Sequence, residues 1–389
     1  MAAVNRLALT GATVFPGPED EPQREAVVLV HGNSIAAVES RGSVGVPSGT
    51  TVLDCAGCTI VAGFWNCHVH FHERKWANAA EIPAPELERQ LQDFTRYGFT
   101  TVFDLSSCWE NTRQLRNRID SGEVAGPRIY STGEGLIPLG GRPSADTFRV
   151  LGLSETALPE VASAQEAQRA ASALVAAGVD GLKVFVSAPA APQLSLETIR
   201  AVVNEARRAG KPVFAHPNSA SDILAALDGG VDIIAHTTPH SGAWNADLID
   251  TMRARGVVLI PTLMVWESML RHDRISTREA LVAAAVDQLR AWLERGGTVL
   301  FGTDLGAVEP NPAREYALMA EAGATFRQIL ASLTTGPAAR FAAPNDAARI
   351  TAGGPADIVV LEDDPAKGFG AFASVRYTLR KGAVIYGAP

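Results

Sequence analysis

The stretch 61–71, VAGFWNCHVHF, is an apolar run that ends in two histidines, His68 and His70, separated by a single residue. Comparable short apolar runs recur through the centre of the chain, and Ala-, Leu- and Arg-rich segments of helical character lie between them. In chain order these runs are TTVFDLS, RIYSTGEGL, GLKVFVS, PVFAHP, DIIAHTT, VVLIPTL and TVLFGTDL. Apolar strands that alternate with helices indicate a parallel sheet covered by helices. Eight such strands predict an α/β fold with a closed (β/α)8 TIM barrel.

A doubly wound open sheet is the alternative architecture. Such a sheet typically binds nucleotides through a glycine-rich motif after its first strand, and no such motif follows residues 61–71. The barrel is therefore the preferred prediction.

Both ends of the chain differ from the centre because they consist of short β-branched runs broken by glycine, proline and asparagine. Examples are LALTGATVF and EAVVLVHGNSIAAVE near the start, and ADIVVLEDD and SVRYTLRKGAVIYG near the end. This pattern is typical of antiparallel β-structure. We expect residues 1–60 and 346–389 to form one small β-sandwich domain, into which the barrel of residues 61–345 is inserted.

The composition is that of a globular enzyme, with 47% hydrophobic and 20% charged residues. The formal net charge of -8 argues against a nucleic-acid partner. The N-terminal sequence lacks the pattern of a secretory signal, and no apolar run is long enough to span a membrane. Four cysteines in a chain of 389 residues do not form a disulfide framework, which is typical of a reducing compartment. We expect a cytoplasmic homo-oligomer that acts on a small molecule, with no membrane partner.

Four of the eight histidines end predicted strands, as does one aspartate, and one lysine lies within a strand. In a barrel, catalytic side chains collect at the carboxyl ends of the strands. Polar groups on apolar strands need partners, and imidazole and carboxylate are suitable ligands for zinc and similar divalent ions. Residues two apart on a strand point the same way, so His68 and His70 can hold one ion together. The predicted metal ligands are His68, His70, Lys183, His216, His236 and Asp304.

Several of these runs, together with the closing GGPADIVVLEDDP, resemble the motifs of the amidohydrolase superfamily. The matching segments are VAGFWNCHVHF, GLKVF, FAHP, IIAHTTP and FGTDLG. Within the superfamily, the chain is similar to the imidazolonepropionase-like group, which includes prolidase-type dipeptidases. The resemblance covers nearly the whole chain and implies a (β/α)8 barrel with a small β-sandwich built from both termini.

The resemblance also implies a centre of two divalent ions. The more buried ion would be held by His68 and His70 with Asp304, and the more exposed ion by His216 and His236. Zinc is the expected metal, with manganese, iron or cobalt as alternatives.

The resemblance gives catalytic roles to Lys183 and Asp304. Lys183 would be carboxylated by CO2, because an amine cannot bridge two cations whereas a carbamate is an anionic ligand with two oxygens. A hydroxide shared by the two ions would attack the substrate carbonyl. Asp304 would act first as general base and then as general acid toward the leaving amine.

The predicted activity is hydrolysis of an amide C–N bond in a small molecule such as a dipeptide, an N-acyl amino acid or a cyclic amide. One alternative is hydrolysis of a lactone, carbamate or phosphoester by the same two-metal site. Another is a non-catalytic relative that uses the fold for binding. That alternative predicts loss of ligands, yet all six positions are filled.

Substrate choice in a barrel depends on the loops that follow the strands. Prolidase-like relatives often carry a tyrosine shortly after the fifth strand, and the segment AHPNSAS here argues against a transferred proline-dipeptide specificity. Lys183 argues against imidazolonepropionase activity itself. Deamination is disfavoured because the nearest acid after His216 is Asp222, six residues on. The predicted substrate-binding residues are His72, Arg142, His240 and Trp266.

Overall fold

The computed structural model of the protein describes residues 6–40, 42–43, 45–142, 158–188, 192–271, 273–341 and 348–387. The strands, numbered in chain order, are β1 (Arg6–Val14), β2 (Gln23–His31), β3 (Ser34–Ser40), β4 (Thr51–Asp54), β5 (Thr59–Ala62), β6 (Phe64–Val69), β7 (Phe99–Asp104), β8 (Arg128–Ser131), β9 (Ile137–Pro138), β10 (Glu160–Val161), β11 (Leu182–Phe185), β12 (Val213–His216), β13 (Ile233–Ala235), β14 (Val258–Ile260), β15 (Ile358–Leu361), β16 (Val375–Arg380) and β17 (Ala383–Tyr386).

Helices follow most of the central strands. They are α1 (Ala84–Thr95), α2 (Trp109–Asp120), α3 (Ala164–Ala177), α4 (Leu196–Arg208), α5 (Ala220–Gly229), α6 (Ala246–Ala254), α7 (Met264–Met269), α8 (Ile275–Glu294), α9 (Ala313–Glu321), α10 (Phe326–Leu333) and α11 (Thr335–Arg340). Across the described part of the chain, none of the helices combines the length and the apolar character needed to cross a membrane.

Polar side chains cap the N-termini of several of these helices. The Ser195 hydroxyl accepts a hydrogen bond from the Thr198 N–H and so caps the start of α4. Ser219 and Asp222 form a reciprocal capping box at the start of α5. These caps supply acceptors for N–H groups that have no partner within the helix.

One sheet joins the two ends of the chain. Its strand order is β17-β16-β15-β5-β1-β2-β3, and β4 also pairs with β1. Apolar side chains of this sheet, among them Leu9, Val28, Ile60 and Val360, form a core cluster of their own. The predicted boundary between residues 60 and 61 falls inside β5, and the predicted boundary between residues 345 and 346 lies outside the described residues.

Two parallel sheets occupy the centre of the chain. One contains β6, β7 and β8, and the other contains β11, β12, β13 and β14. These are the first seven strands expected from the apolar runs. Further isolated parallel bridges join the pairs Leu136–Val184, Val69–Leu305 and Leu259–Val299.

The eighth predicted strand, TVLFGTDL at residues 298–305, is irregular. It still pairs with both neighbours, because the Leu300 N–H donates to the Leu259 carbonyl and the Cys67 N–H donates to the Phe301 carbonyl. The run therefore lies beside the strand that precedes it and beside β6, although it does not form a continuous strand of its own.

The two parallel sheets pack against a shared apolar cluster. Trp65 of β6, Phe103 of β7 and Phe214 of β12 belong to it, and Tyr130 and Phe341 lie against it. Trp65 stacks on Tyr130 with ring centroids 5.5 Å apart. Side chains therefore fill the space between the sheets, as expected for the packed interior of a barrel-type fold.

Candidate metal centre

The carboxyl end of β6 presents two imidazoles on the same side. His68 and His70 are two residues apart, so the alternation of an extended chain directs both rings the same way. Both side chains are buried, and their ring centroids are 5.1 Å apart. The sequence prediction that the two histidines converge is therefore met by the geometry.

Asp304 reaches the same point from the irregular eighth segment. Its Oδ1 lies 2.8 Å from His70 Nε2 and 3.5 Å from His68 Nε2. Asp304 has a positive φ of 62°, a conformation that L residues seldom adopt and that often marks a functional position. The backbone therefore turns at Asp304, and its carboxylate lies between the two rings.

His236 follows β13 and also has a positive φ, of 107°. Its ring centroid lies 4.7 Å from that of His68 and 4.5 Å from that of His216, which ends β12. His236 Nε2 is 3.8 Å from Asp304 Oδ2, and the Thr262 hydroxyl contacts His236 Nδ1 at 2.6 Å. The structure thus places His236 between His216 and the pair on β6.

Lys183 lies within β11 and is only 1% exposed. Its Nζ has no hydrogen-bond partner among the described residues and lies 5.8 Å from the ring centroid of Phe185. The Phe185 ring is in turn 5.0 Å from the His216 ring. Burial lowers the pKa of Lys183 to about 7, although Asp304 opposes this shift.

The protonation states in this cluster suit metal binding. Burial lowers the pKa of His68 and of His236 well below the usual value, and lowers the pKa of His216 to about 4. Burial alone would raise the pKa of Asp304, but the nearby His68 and His70 hold it well below its usual range. Neutral imidazole and ionised carboxylate are the forms in which these side chains bind metal ions.

Several buried polar atoms of the cluster lack a hydrogen-bond partner within the described ranges. They are His68 Nδ1, His70 Nδ1 and Lys183 Nζ. Buried polar atoms in folded proteins normally find a partner, so this group of unpartnered atoms needs explanation. One ligand atom each of His68, His70 and Asp304 lies within 4.8 Å of the others. A divalent cation would satisfy this donor set, and the residues fit a metal centre.

A family model described as the amidohydrolase family matches residues 59–387, which is most of the chain. The chain belongs to the amidohydrolase family. As an amidohydrolase, it is a hydrolase that acts on carbon–nitrogen bonds.

Curated and solved relatives cover nearly the same length as this amidohydrolase. The ochratoxinase of Aspergillus niger is 24% identical over 407 aligned positions, which cover 90% of this chain and 80% of the relative. A crystal structure of a Xaa-Pro dipeptidase with bound methionine in the active site superimposes with a TM-score of 0.83 at 22% identity, covering 99% of this chain and 100% of the other. The crystal structure of A. niger ochratoxinase gives a TM-score of 0.80 at 21% identity, covering 99% and 96%. At these identities the solved structures show a shared fold.

The four predicted substrate-binding residues of the amidohydrolase fall in different surroundings. His72 lies past the end of β6 and stacks on His70, with ring centroids 4.5 Å apart and planes 8° apart. His240 is exposed and meets Trp266 edge-on, with ring centroids 6.0 Å apart. Arg142 is exposed, and its backbone N–H donates to Glu160.

Trp266 is held in place by a hydrogen bond. Its Nε1–H donates to the Thr237 hydroxyl, 2.9 Å away, and Thr237 directly follows His236. Trp266 of α7 and His240, four residues beyond His236, therefore lie beside the segment that carries His236.

Asp222, the acid considered for a deaminase, is fully engaged elsewhere. Its carboxylate accepts hydrogen bonds from the Ser187 hydroxyl and the Gln193 amide, and from the backbone N–H groups of Asn218 and Ser219. These hydrogen bonds hold the Asp222 carboxylate in the capping box at the start of α5.

Three polar residues around the centre were not singled out from the sequence: Asn66, Asp104 and Thr262. Asn66 and Asp104 are fully buried on apolar strands, and a polar residue within an apolar run was the available signal. The Asp104 carboxylate accepts hydrogen bonds from Thr112 and Ser131, and burial raises its pKa. Thr262 offered no such signal, because its contact with His236 depends on how two loops meet.

Proposed function

We propose that this amidohydrolase uses a centre of two divalent ions, held by four histidines, an aspartate and a carboxylated lysine, to hydrolyse an amide bond of a small molecule. The observation that carries the proposal is the buried group of His68, His70 and Asp304, whose ligand atoms lie within 4.8 Å of one another, with the rings of His236 and His216 beside it. The ligands would be His68, His70, Lys183, His216, His236 and Asp304.

Lys183 is proposed to carry a carboxylate added by CO2. The neutral amine would attack the carbon of CO2, and loss of one proton from nitrogen would leave an anionic carbamate. Two features support this reaction at Lys183. Burial favours the neutral amine, and its Nζ has no hydrogen-bond partner in the described part of the chain. A carbamate has two oxygens, so a carboxylated Lys183 would offer one anionic ligand atom to each of two ions.

Asp304 is proposed to act as both ligand and proton carrier. Two divalent ions, when bound, supply a water of lowered pKa and polarise the carbonyl group of the substrate. Asp304 Oδ1 lies beside His70 while Oδ2 faces His236, so the carboxylate spans the centre. One oxygen can therefore stay with an ion while the other accepts a proton from the attacking water and delivers it to the leaving nitrogen.

The substrate is proposed to be a small amide, such as a dipeptide, an N-acyl amino acid or a cyclic amide. The named relatives, an ochratoxinase and a Xaa-Pro dipeptidase, support this class. Trp266, His240 and His72 would line the approach to the centre, and Arg142 would lie at its rim. His240 is the candidate for contact with a substrate carboxylate, because it is exposed and lies four residues beyond His236.

We also propose that the parallel strands form one closed (β/α)8 barrel. Support comes from the bridges that join the two parallel sheets and from the packed cluster between them. The eight-stranded sheet of both chain ends would belong to the small β-sandwich domain expected at residues 1–60 and 346–389.

The proposal is tested by replacing Lys183. The wild-type protein should contain about two ions per chain by elemental analysis. Lys183→Ala should lose the second ion, and amide hydrolysis should fall by more than about 100-fold, because outer partners of metal ligands alone contribute roughly 10–100-fold. Lys211→Ala, at the opposite end of the strands, is the control and should keep both ions. A Lys183→Ala protein that hydrolyses normally with one tightly held ion would identify a mononuclear enzyme.

A panel of substrates tests which class of bond the protein hydrolyses. Dipeptides, N-acyl amino acids and cyclic amides should be compared with lactones, carbamates and phosphoesters on zinc- and manganese-loaded protein. Amides should give the highest kcat/KM. A clear preference for lactones or phosphoesters would overturn the proposed substrate class but would not contradict the proposed metal centre.

A further inference from the structure

Asn66 lies on β6, two residues before His68, and is completely buried. Its Oδ1 accepts hydrogen bonds from the backbone N–H groups of His68, at 3.3 Å, and Thr303, at 3.2 Å. Its Nδ2 donates to the Thr303 hydroxyl at 2.8 Å. Two N–H donors face one side of the amide and a hydroxyl faces the other, so the orientation of the amide is determined by its partners.

These contacts connect the two chain segments that carry His68, His70 and Asp304. The Cys67 N–H donates to the Phe301 carbonyl, and the His70 N–H donates to the Leu305 carbonyl. Between these two hydrogen bonds, β6 advances three residues, from Cys67 to His70. The eighth segment advances four residues, from Phe301 to Leu305. The eighth segment therefore contains one extra residue, which is a β-bulge.

The bulge includes Asp304, whose positive φ turns its carboxylate toward the histidines. An extra residue in one strand leaves backbone groups without their regular ladder partners. The Thr303 N–H donates instead to the side chain of Asn66. The Asp304 N–H donates to the His68 carbonyl at 2.8 Å. Asn66 thus supplies a hydrogen-bond acceptor for the Thr303 N–H, which has no regular partner because of the bulge.

We propose that Asn66 is a positioning residue of the metal centre, which stabilises the bulge at Asp304 and so sets the distance between that carboxylate and the imidazoles of His68 and His70. The inference rests on the proposed metal centre and adds a residue that does not itself bind the ion. An aliphatic side chain of similar size would leave the Thr303 N–H buried and unpaired, and the bulge would relax.

The test compares Asn66→Leu with Asn66→Asp. Apo protein is titrated with Co2+, and the visible absorption spectrum and the dissociation constant, from competition with a chelator, are measured. Asn66→Leu should weaken the tighter Co2+ ion by about 10–100-fold, as is typical for partners that orient metal ligands, and should alter its spectrum. Asn66→Asp keeps acceptor oxygens for both N–H groups, and the Thr303 hydroxyl can rotate to donate to it. Its affinity should stay within a few-fold of the wild type.

A second pair of variants separates a role in metal positioning from a role in folding. Thr303→Val removes the hydroxyl that accepts from Asn66, and Thr378→Val removes a buried hydroxyl of β16 that donates to the Thr95 carbonyl of α1. Only Thr303→Val should change the Co2+ spectrum, with a loss of affinity near 10-fold. This pair keeps the inference testable if Asn66→Leu does not fold.

The outcomes distinguish the inference from the proposed function. Unchanged Co2+ affinity and spectrum in Asn66→Leu and Thr303→Val, with normal binding by the wild type, would refute the role of Asn66 alone. A wild-type protein that binds no Co2+ would refute the metal centre itself, and the role of Asn66 with it.

Discussion

The inner half of the candidate centre, His68, His70 and Asp304, is built differently from the outer half, Lys183, His216 and His236. The inner half comes from two adjacent chain segments whose backbones are hydrogen-bonded at the ligand positions themselves. Its ligand atoms already lie within 4.8 Å of one another. The outer half comes from three successive strands and includes a buried amine that has no hydrogen-bond partner among the described residues.

The difference shows how a metal centre can be partly prepared by the fold. In the inner half the strand pairing determines the spacing of the ligands, so folding alone brings them together. In the outer half the ring of His236 depends on Thr262 of a neighbouring loop, and Lys183 requires a chemical modification to become an anionic ligand. We therefore expect the inner ion to bind first and more tightly than the outer ion.

The largest effect is expected for Asp304→Asn, because it removes an inner ligand and the proposed proton carrier together. Activity should fall by about 100- to 10,000-fold even when the protein is saturated with metal, as is typical for loss of a general base or acid. Steady-state kinetics at several metal concentrations measure this. Asp232→Asn, which lies at the amino end of β13, is the matched control. Recovery of full activity in excess metal would show that Asp304 is a ligand only.

A smaller effect is expected for Thr262→Val, which removes the hydroxyl that contacts His236 Nδ1. The weaker ion should lose about 10–100-fold in affinity, because the ring of His236 loses the partner that orients it. The tighter ion should be unaffected, and Thr262→Ser, which keeps the hydroxyl, should resemble the wild type. Competition with a fluorescent chelator measures both affinities. Equal weakening of both ions would contradict the division into an inner and an outer half.

The smallest effect is expected at Glu315 of α9, behind the loop that carries Thr262. Its carboxylate accepts the N–H groups of Leu263 and Met264, and burial raises its pKa from 4.5 to about 7 in spite of these bonds. Because the folded state favours the protonated form, the free energy of unfolding should fall as the pH rises between 4.5 and about 7.

Glu315→Gln should remove this contribution to the pH dependence, which amounts to about 1.4 kcal/mol for each unit of pKa shift. Chemical denaturation of the apo protein at several pH values measures it. Glu321→Gln, at the exposed end of the same helix, should leave the pH dependence as it is in the wild type. An unchanged pH profile in Glu315→Gln would show that Glu315 is not the group that titrates.

Much of the architecture could be predicted because it follows from local periodicity. Apolar runs separated by helical segments located seven central strands, and the β-rich ends, for which a small β-sandwich domain was predicted, join in one sheet. The eighth segment was expected to be a regular strand and is interrupted by a bulge. A bulge depends on pairing with a strand more than two hundred residues away in the sequence. The local pattern of FGTDLG therefore does not predict it.

The pair His68 and His70 was determined by the sequence itself, because alternate residues of any extended strand point to the same side. Only the tertiary structure decided that Asp304 turns toward them, since its positive φ depends on the register between β6 and the eighth segment. The same holds for Asn66 and Thr262, whose partners are distant in the chain. A repeating local geometry can be read from the order of residues, whereas the position of one strand against another depends on packing across the whole fold.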